Sequence, residues 1–572
     1  MYKANKRHLQ PPLLSNVNEL PEKQRQRLED SWAGTFYREY FCRLNETPFS
    51  VLYADCPSRP NVPVNVLVGL DTLKAGFGWS DEELYDHFLF DLQVRYALGY
   101  HTLDEGGFEV RSLYNFRRRL SEYNLAHGTN LLVQAFEAIT DQQIVAFKVR
   151  TNQQRMDSTQ VASNILDSSR LQLAAECVQR LARLLGEEDQ QRYAQLLKPY
   201  LRDTTNQYVY RIKGKAEAQT HLQQIGQVLA QLLREGKERY GKEAFFAVAE
   251  RFFAENFRVE GEQAQPKENQ ELSSGSLQSL DDLEASYRQK DNAFYKGYVA
   301  NVAETCHPDN ELQLLTHVQV APNRTEDSQL MINALPNLAL RTDLETLYTD
   351  GAYGSPAADP ILRQEQVTQV PSAIRGTTLN PEKLHLSQYQ IEQDAQGKPQ
   401  QLLCPQGQIG RVAPTQSVKC FVAAFEPDGC ASCPFLTEQR CRVRWRKRLR
   451  KYQLEFTQEE VDAAQRRRRC QEFHQSGRNL RAAVEATVRC LKHPWPGGKL
   501  PVRGIRRMTD LLVGSTAMTN IRRITRYQLL KRAQQVLEIQ VNLPEDLFSN
   551  TFSLRCFSFQ PLMRMLLSSL AC

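Results

Sequence analysis

The sequence predicts an α/β protein with a mixed-sheet core, a helical N-terminal domain and an inserted Cys-rich subdomain. Helical periodicity dominates residues 1–140, and five cysteines crowd into residues 404–441. Strand-like runs separated by one helical segment predict the sheet; the runs lie at residues 296–302, 312–320 and 346–350, and the helix at 328–339.

Length and composition indicate a soluble protein of several domains. At 572 residues the chain exceeds one compact core, and no apolar run approaches the roughly 18 residues of a membrane span. The N-terminus is basic without the apolar core of a signal peptide, and the 13 scattered cysteines argue against a secreted disulfide framework. We therefore expect a cytoplasmic protein, near the nucleoid in a bacterium, with no membrane partner.

Charge is distributed very unevenly along the chain. Residues 440–532 contain 25 Lys and Arg against 7 Asp and Glu, so this stretch carries a net charge of +18. The whole chain carries only +6, which leaves −12 for the remainder. Such asymmetry is typical of a surface that binds a polyanion, and it predicts nucleic acid as the partner.

The N-terminal domain is expected to contain short helices with a basic last member. Apolar spacing predicts a helix over residues 64–78, and Ser80 followed by three acidic residues is typical of a helix N-cap. A further helix at 112–120 contains Arg117 and Arg118. These features suit a small DNA-binding domain, and a helical packing module with a solvated Arg face explains them equally well.

Composition divides the rest of the chain into further regions. Residues 144–150 are β-like, and a second strand signal runs up to Thr159, whereas residues 261–282 lack apolar content and predict a flexible linker. The expected regions are first core strands at 141–165, a helical region and linker at 166–282, the core proper at 283–378, a Cys-rich basic insertion at 379–455, a core helix with a basic tail at 456–540 and a C-terminal segment at 541–572.

Three acidic residues are candidates for a metal site. Asp157 and Asp350 each follow a strand-like run, and carboxylates on adjacent strands can converge on a hard cation that prefers oxygen ligands. Glu485 lies on a strongly helical segment, on one stripe with Arg481 and Lys492. The alternatives are turn or cap residues for the two Asp and a surface i,i+4 ion pair for Glu485.

These residues resemble a known family, the bacterial insertion-sequence transposases with a DDE catalytic core (insertion-sequence four superfamily). Its signature is Tyr-x2-Arg-x3-Glu-x6-Lys, and Arg481, Glu485 and Lys492 fit the spacing, whereas Arg478 stands at the Tyr position. Other similar segments are residues 157–159 and 348–355 for the two Asp motifs, 73–84 for the helical domain of InsH-like members, and 503–523 for the tail after the Glu helix.

The resemblance implies an RNase H-like core in which Asp157, Asp350 and Glu485 bind Mg²⁺, with Mn²⁺ as a substitute. The reaction would be a two-metal in-line displacement that cuts and joins DNA at terminal inverted repeats and target DNA. Arg481 and Lys492 would contact phosphates near the transposon end. A monomer in solution would pair two ends as a dimer on DNA, and Arg478 at the Tyr position leaves a hairpin or another intermediate open.

The cysteines predict a second metal site. Cys430-x2-Cys433-x7-Cys441, with Cys404 upstream, has roughly the spacing of a structural zinc site. The alternative is a set of reduced thiols in a loop-rich subdomain.

The basic run at residues 442–451 has seven cations around one Trp. Arg444 and Arg446 flank Trp445 and could follow phosphates while the indole stacks on an unpaired base. A solvated strand is the alternative here. For the whole chain, the alternatives to an active transposase are a catalytically silent DNA-binding descendant, an RNase H-like nuclease and a zinc-containing regulator.

Overall fold

The computed structural model describes residues 1–541 apart from positions 11, 13, 55–59, 203, 262, 291–292, 377–378, 395, 416–419 and 478–479. Arg478 and residues 542–572 of the expected C-terminal segment therefore lie outside the described residues. The chain is a mixed α/β protein, as predicted. No helix in the described part of the chain combines the length and apolarity needed to cross a membrane.

The N-terminal region is helical, as the apolar spacing predicts. Ser80 begins one helix with a capping box, in which its hydroxyl accepts from the Glu83 N–H (3.1 Å) and the Glu83 carboxylate accepts from the Ser80 N–H (2.7 Å). The preceding helix ends at Gly78, whose φ of 77° favours glycine. The helices are α1 Asn16–Glu19, α2 Glu22–Glu29, α3 Trp32–Glu39, α4 Val64–Phe77, α5 Asp81–Phe90, α6 Leu92–Ala97, α7 Val110–His127 and α8 Leu131–Ala146.

The central sheet follows the N-terminal helices. Its strands are β1 Gln153–Ala162, β4 Ser286–Lys290, β5 Ala293–Thr305, β6 Leu315–Pro322, β7 Thr346–Thr349 and β8 Thr368–Pro371, with helices α15 Asp327–Arg341 and α16 Ala358–Gln364. The strand order is β4-β5-β1-β7-β8, and β6 also pairs with β5. Pairs β4–β5, β5–β6 and β5–β1 are antiparallel, whereas β1–β7 and β7–β8 are parallel. The sheet is therefore mixed, with β1 between an antiparallel and a parallel neighbour.

A helical unit is inserted between β1 and β4. It contains α9 Arg170–Leu184, α10 Glu187–Arg192, α11 Ala194–Leu201, α12 Thr205–Tyr210, α13 Lys215–Tyr240 and α14 Ala244–Asn256, followed by the hairpin β2 Phe257–Glu260 and β3 Gln263–Pro266. Leu181, Ile225 and Phe252 are buried in a core of this unit's own. Burying each such side chain contributes about 1.5–3 kcal/mol, so the insertion carries its own stabilising core.

The Cys-rich region forms a second, antiparallel sheet between β8 and the last helices. The elements are β9 Gln390–Gln393, β10 Pro399–Leu403, β11 Ile409–Pro414, β12 Cys420–Phe425, α17 Pro427–Ala431, α18 Pro434–Thr437, β13 Arg444–Arg446 and β14 Lys451–Thr457. The strand order is β13-β14-β12-β11-β10-β9. Phe425, Leu402 and Phe456 are buried in its core.

Three helices complete the described chain: α19 Gln458–Gln475, α20 Ala482–Lys492 and α21 Ile505–Val541. Helix α21 packs on α4 and β6, where Leu512, Met518 and Ile521 are fully buried. The Asn520 side chain accepts from the Leu315 N–H (2.8 Å) and donates to the Leu315 carbonyl (2.9 Å). The N-terminal helices, the central sheet, α20 and α21 therefore share one hydrophobic core.

Two local predictions are wrong. Residues 144–150 complete α8 and a turn in which Lys148 has a φ of 53°, because a short apolar run fits the last turn of a helix as well as a strand. The expected linker at 261–282 contains β3, and Leu277 and Leu280 are buried against the helical unit. The mean composition of the segment is polar, so it does not reveal that these two apolar side chains are buried.

Candidate active site

Asp157 lies in the middle of β1, which differs from the predicted position after a strand. The strand continues because Ser158, Thr159 and Gln160 keep pairing with β5, opposite Asn301 to Val299. The Asp157 side chain is largely buried, and its Oδ1 accepts from the Ser158 N–H at 2.9 Å. Burial raises the pKa of this carboxyl, and Asp350 acts in the same direction, whereas Arg481 and the Ser158 N–H favour the charged form.

Asp350 follows β7, the parallel neighbour of β1, as the sequence predicts. It caps the 3₁₀ turn Gly351–Tyr353, with its Oδ1 accepting from the Ala352 N–H at 2.6 Å. A Cβ at Gly351 would lie 2.7 Å from the Ala373 carbonyl oxygen, so the close approach of two backbones requires glycine there. The turn thus holds Asp350 beside the strand that carries Asp157.

Glu485 lies in the first turn of α20 and is 57% exposed. The helix packs on β1 and buries Val484, Val488 and Leu491, the face that helical spacing predicts. Because these side chains face the core, Glu485 is left on the open side of the helix, within reach of the sheet carboxylates.

The three acids meet at one cation, the Arg481 guanidinium. Nη2 of Arg481 lies 3.3 Å from Asp157 Oδ2 and 4.0 Å from Asp350 Oδ2, and Nη1 lies 3.4 Å from Glu485 Oε1. Three carboxylates around one guanidinium leave an excess of two negative charges if all are ionised. Such a concentration of oxygen acceptors favours divalent cations.

The donor set fits Mg²⁺ or Mn²⁺, although Arg481 lies between the carboxylates. Among the residues that the structure describes, no three His, Cys, Asp or Glu side chains form a ready-made metal-binding group. The three acids are instead bridged by Arg481, whose guanidinium contacts one oxygen of each. Arg481 Nε is buried and lacks a hydrogen-bond partner within the described part of the chain, so the guanidinium is incompletely satisfied where it lies.

A buried carboxylate, Glu304 on β5, contacts residues from three other elements next to the site. Its side chain is fully buried and accepts from Arg155 Nε (2.7 Å) and the Thr487 hydroxyl (2.9 Å), and it pairs with Arg523 Nη1 (2.7 Å). These partners belong to β1, α20 and α21. Arg155 also donates to the Leu480 carbonyl at 2.6 Å, just before the helix that carries Glu485.

Sequence reasoning missed Glu304, and the available signal was an acidic residue directly after the Val302-Ala303 pair of a strand-like run. It also missed Asp327, a buried acid at the start of α15. Asp327 Oδ1 accepts from the Ser158 hydroxyl at 2.6 Å, next to Asp157. Both residues are separated from their partners by long stretches of chain, so spacing could not reveal them.

Lys492 binds the strand that carries Asp157. Its Nζ donates to the Thr159 hydroxyl (2.7 Å) and the Gln160 carbonyl (3.2 Å). Burial lowers the pKa of this amine. Lys492 therefore places a cation further along β1, two helical turns from Glu485.

The other candidate DNA contacts differ in exposure. Arg117 is held by Asp71 (2.5 Å) and Asp81 (2.8 Å), so it joins α7 to α4 and α5 rather than facing solvent freely. Arg118, in contrast, is 61% exposed and pairs with Glu122 at 3.0 Å.

The basic strand β13 is an exposed edge of the second sheet. Trp445 is 43% exposed and packs against Tyr452, with ring centroids 5.0 Å apart. Arg444 is exposed beside it, and Arg446 pairs with Glu455. Because successive side chains of a strand point to opposite faces, Trp445 and Tyr452 lie on one face of this edge, and Arg444 and Arg446 lie on the other, so the indole is flanked by the two guanidinium groups in sequence only.

The four cysteines of the predicted zinc site line a single cavity in the Cys-rich region. They are Cys404, Cys430, Cys433 and Cys441.

Comparisons with protein-family models, with curated proteins and with solved structures found no match to this chain.

Proposed function

We propose that the chain is a DDE transposase that cuts and joins DNA strands at insertion-sequence ends with divalent cations. One observation carries the proposal: Asp157, Asp350 and Glu485, far apart in the sequence and on three separate elements, meet at one guanidinium. In the alternative interpretation the two Asp are turn or cap residues and Glu485 forms a surface ion pair. That interpretation gives no reason for the three acids to lie at one place.

The sheet supports an RNase H-like core. The path β6-β5-β1-β7-β8 has antiparallel strands followed by parallel ones, with α15 between β6 and β7. Asp157 lies on the central strand of this path and Asp350 directly after its parallel neighbour. Such an arrangement puts two carboxylates at one place on the sheet and leaves the third to a packed helix.

In this proposal Asp157, Asp350 and Glu485 hold the divalent cations. When bound, Mg²⁺ or Mn²⁺ would supply an activated oxygen nucleophile and stabilise the leaving oxygen. The carboxylates set the position of the ions relative to the DNA. Arg481 competes for the same oxygens, and once displaced from them its guanidinium is available for a DNA phosphate.

The distribution of charge supports DNA as the partner. The excess of positive charge between residues 440 and 532 includes β13, α19, α20 and the first part of α21, and so flanks in the sequence the helix that carries Glu485. The proposal includes terminal inverted repeats and target DNA as substrates, and two protein copies paired on DNA. Phosphate binding by such a surface releases counterions and makes the affinity strongly salt-dependent.

The test is strand cleavage by the purified full chain on linear DNA that carries the repeats flanking its own coding sequence. We expect cleavage at the repeat boundary with Mg²⁺, none with EDTA, and at least about a hundredfold loss in Glu485→Gln, since a metal ligand is removed. Glu472→Gln on α19 is the matched control, because Glu472 is 58% exposed and its side chain pairs with Arg468 in its own helix.

Each outcome separates the alternatives. DNA binding without cleavage by the wild type in Mg²⁺ or Mn²⁺ would favour the silent DNA-binding descendant. Cleavage without any joined product would favour an RNase H-like nuclease. Equal cleavage by Glu485→Gln and the wild type would contradict the assignment of the site.

A further inference from the structure

The Cys-rich sheet brings four thiols together from three separate segments. The first segment holds Cys404, which follows β10; the second holds Cys430 in α17 and Cys433 directly before α18; the third holds Cys441, which precedes β13. All four line one small cavity, whose other walls include Phe425. Cys420, on β12 of the same sheet, is absent from the lining.

The backbone around these cysteines forms tight turns. At the first turn the Gly407 N–H donates to the Cys404 carbonyl (2.9 Å), and the Gln408 N–H donates to the Cys404 sulfur (3.3 Å). At the second, the Cys433 N–H donates to the Cys430 carbonyl at 3.1 Å. An N–H that points at sulfur stabilises the thiolate form, the form that binds metal ions.

The thiols influence one another inside the cavity. Cys430 is buried, and the other three thiols line the same small cavity. The Tyr389 hydroxyl lies 3.5 Å from the Cys441 sulfur. Several thiolates cannot share such a place without a cation, because each would repel the others in an apolar surrounding.

We propose that Cys404, Cys430, Cys433 and Cys441 together bind one structural Zn²⁺ ion. Four thiolates complete the tetrahedral coordination that zinc prefers and leave no open position for a substrate, so the ion would act on folding alone. The sulfur atoms line the cavity without forming a ready-made ligand group in the described chain. Zinc-binding side chains are drawn into their final geometry by the ion itself, because binding and folding are coupled.

The ion would stabilise the part of the sheet that holds the basic strand. The segment between α18 and β13 contains Cys441, and β13 with Trp445 follows directly. A bound ion would tie this segment to the β10–β11 turn and to α17. The proposed zinc site shares no residue with the carboxylate site. A protein without bound zinc would therefore contradict the zinc proposal and leave the transposase proposal standing.

The experiment measures metal in the full-length protein, purified without chelators, by elemental analysis. We expect about one zinc per chain in the wild type and in Cys420→Ser, and a loss of most of it in Cys404→Ser and Cys433→Ser. Cys420→Ser is the matched control because it removes a thiol from the same sheet without touching the cavity.

A second measurement needs no variant, so it is unaffected by misfolding. Cobalt added to metal-stripped wild type should give the intense near-ultraviolet band of thiolate-to-cobalt charge transfer and the visible bands of a tetrahedral site. Chelation should also expose four additional thiols to an alkylating reagent. Absence of zinc together with absence of the cobalt bands would overturn the proposal. Thiols that resist alkylation until a reductant is added would overturn it too, in favour of two disulfides.

Discussion

Replacing Glu304 with Gln tests whether the buried carboxylate organises the candidate active site. Glu304 is 0% exposed, and its partners Arg155 and Arg523 are 10% and 25% exposed. Removing one partner from a buried ion pair costs about 3–5 kcal/mol, because the opposite charge stays buried without compensation. Gln keeps an acceptor for the Thr487 hydroxyl, and Arg155 keeps its bond to the Leu480 carbonyl. We therefore expect a loss at the lower end, about 3 kcal/mol.

The assay is urea unfolding followed by tryptophan fluorescence, with the free energy of unfolding taken from the midpoint and slope. Trp495 is buried in the same core and reports on the region that holds α20. The control is Glu311→Gln, because Glu311 is 58% exposed and its pair with Lys531 lies on the surface. Such a pair contributes about 0–1 kcal/mol. A loss below about 1 kcal/mol in Glu304→Gln, equal to the control, would refute the reasoning.

The same substitution has a local consequence for the helix that carries Glu485. Thr487 is two residues beyond Glu485 and is anchored to the Glu304 carboxylate. Weakening that anchor should speed hydrogen exchange of the α20 amides, measured by mass spectrometry on the folded protein. Unchanged exchange in α20 would show that Val484, Val488 and Leu491 hold the helix without help from the buried charges.

Three further changes have defined outcomes. Arg481→Gln removes the guanidinium that competes for the carboxylates, so the Kd for Mn²⁺, followed by electron paramagnetic resonance, should fall about tenfold; an unchanged Kd would contradict the competition. Burial raises the pKa of Asp510 to about 7, with Asp71 adding to the shift and Asn130, Arg506 and Arg117 opposing it. A carboxyl whose pKa is raised by folding stabilises the protein at acid pH, and that contribution is lost as the pH rises towards 7. The free energy of unfolding of Asp510→Asn should therefore exceed that of the wild type by about 2 kcal/mol at pH 8 and by little at pH 4. The figure is discounted because the Asp510 side chain is only partly buried. An equal difference in unfolding free energy at both pH values would contradict the titration. Trp445→Ala should weaken binding of single-stranded DNA by about 1–3 kcal/mol, with Trp445→Phe close to the wild type, as judged by fluorescence anisotropy of labelled DNA; equal binding by Ala and Phe variants would rule out stacking.

Helical spacing and capping predicted much of the fold. The capping box at Ser80 and the buried face of α20 follow from side chains within a few positions of one another, which a sequence displays directly. The strands that carry Asp157 and precede Asp350 were also predicted, although β1 extends beyond Asp157. Local pattern cannot tell where a half-polar strand ends, because pairing with β5 decides that.

Long-range electrostatics could not be predicted in the same way. The sequence around Arg117 predicts an exposed cation, yet Arg117 forms ion pairs with Asp71 and Asp81 on two other helices. Arg481 reads as an i,i+4 partner of Glu485 and proves to contact both Asp157 and Asp350 as well. In each case the partners lie on elements that only the tertiary fold brings together.

The carboxylates are far apart in the chain because two large insertions separate the elements that carry them. The helical unit leaves after β1 and returns at β4, whereas the Cys-rich sheet leaves after β8 and returns at α19. Each insertion has its own hydrophobic core, so it does not depend on the central sheet for its burial. The position of Glu485 relative to Asp157 must then come from contacts within the main core. Glu304 supplies part of those contacts by joining β1, β5, α20 and α21, and the buried face of α20 supplies the rest.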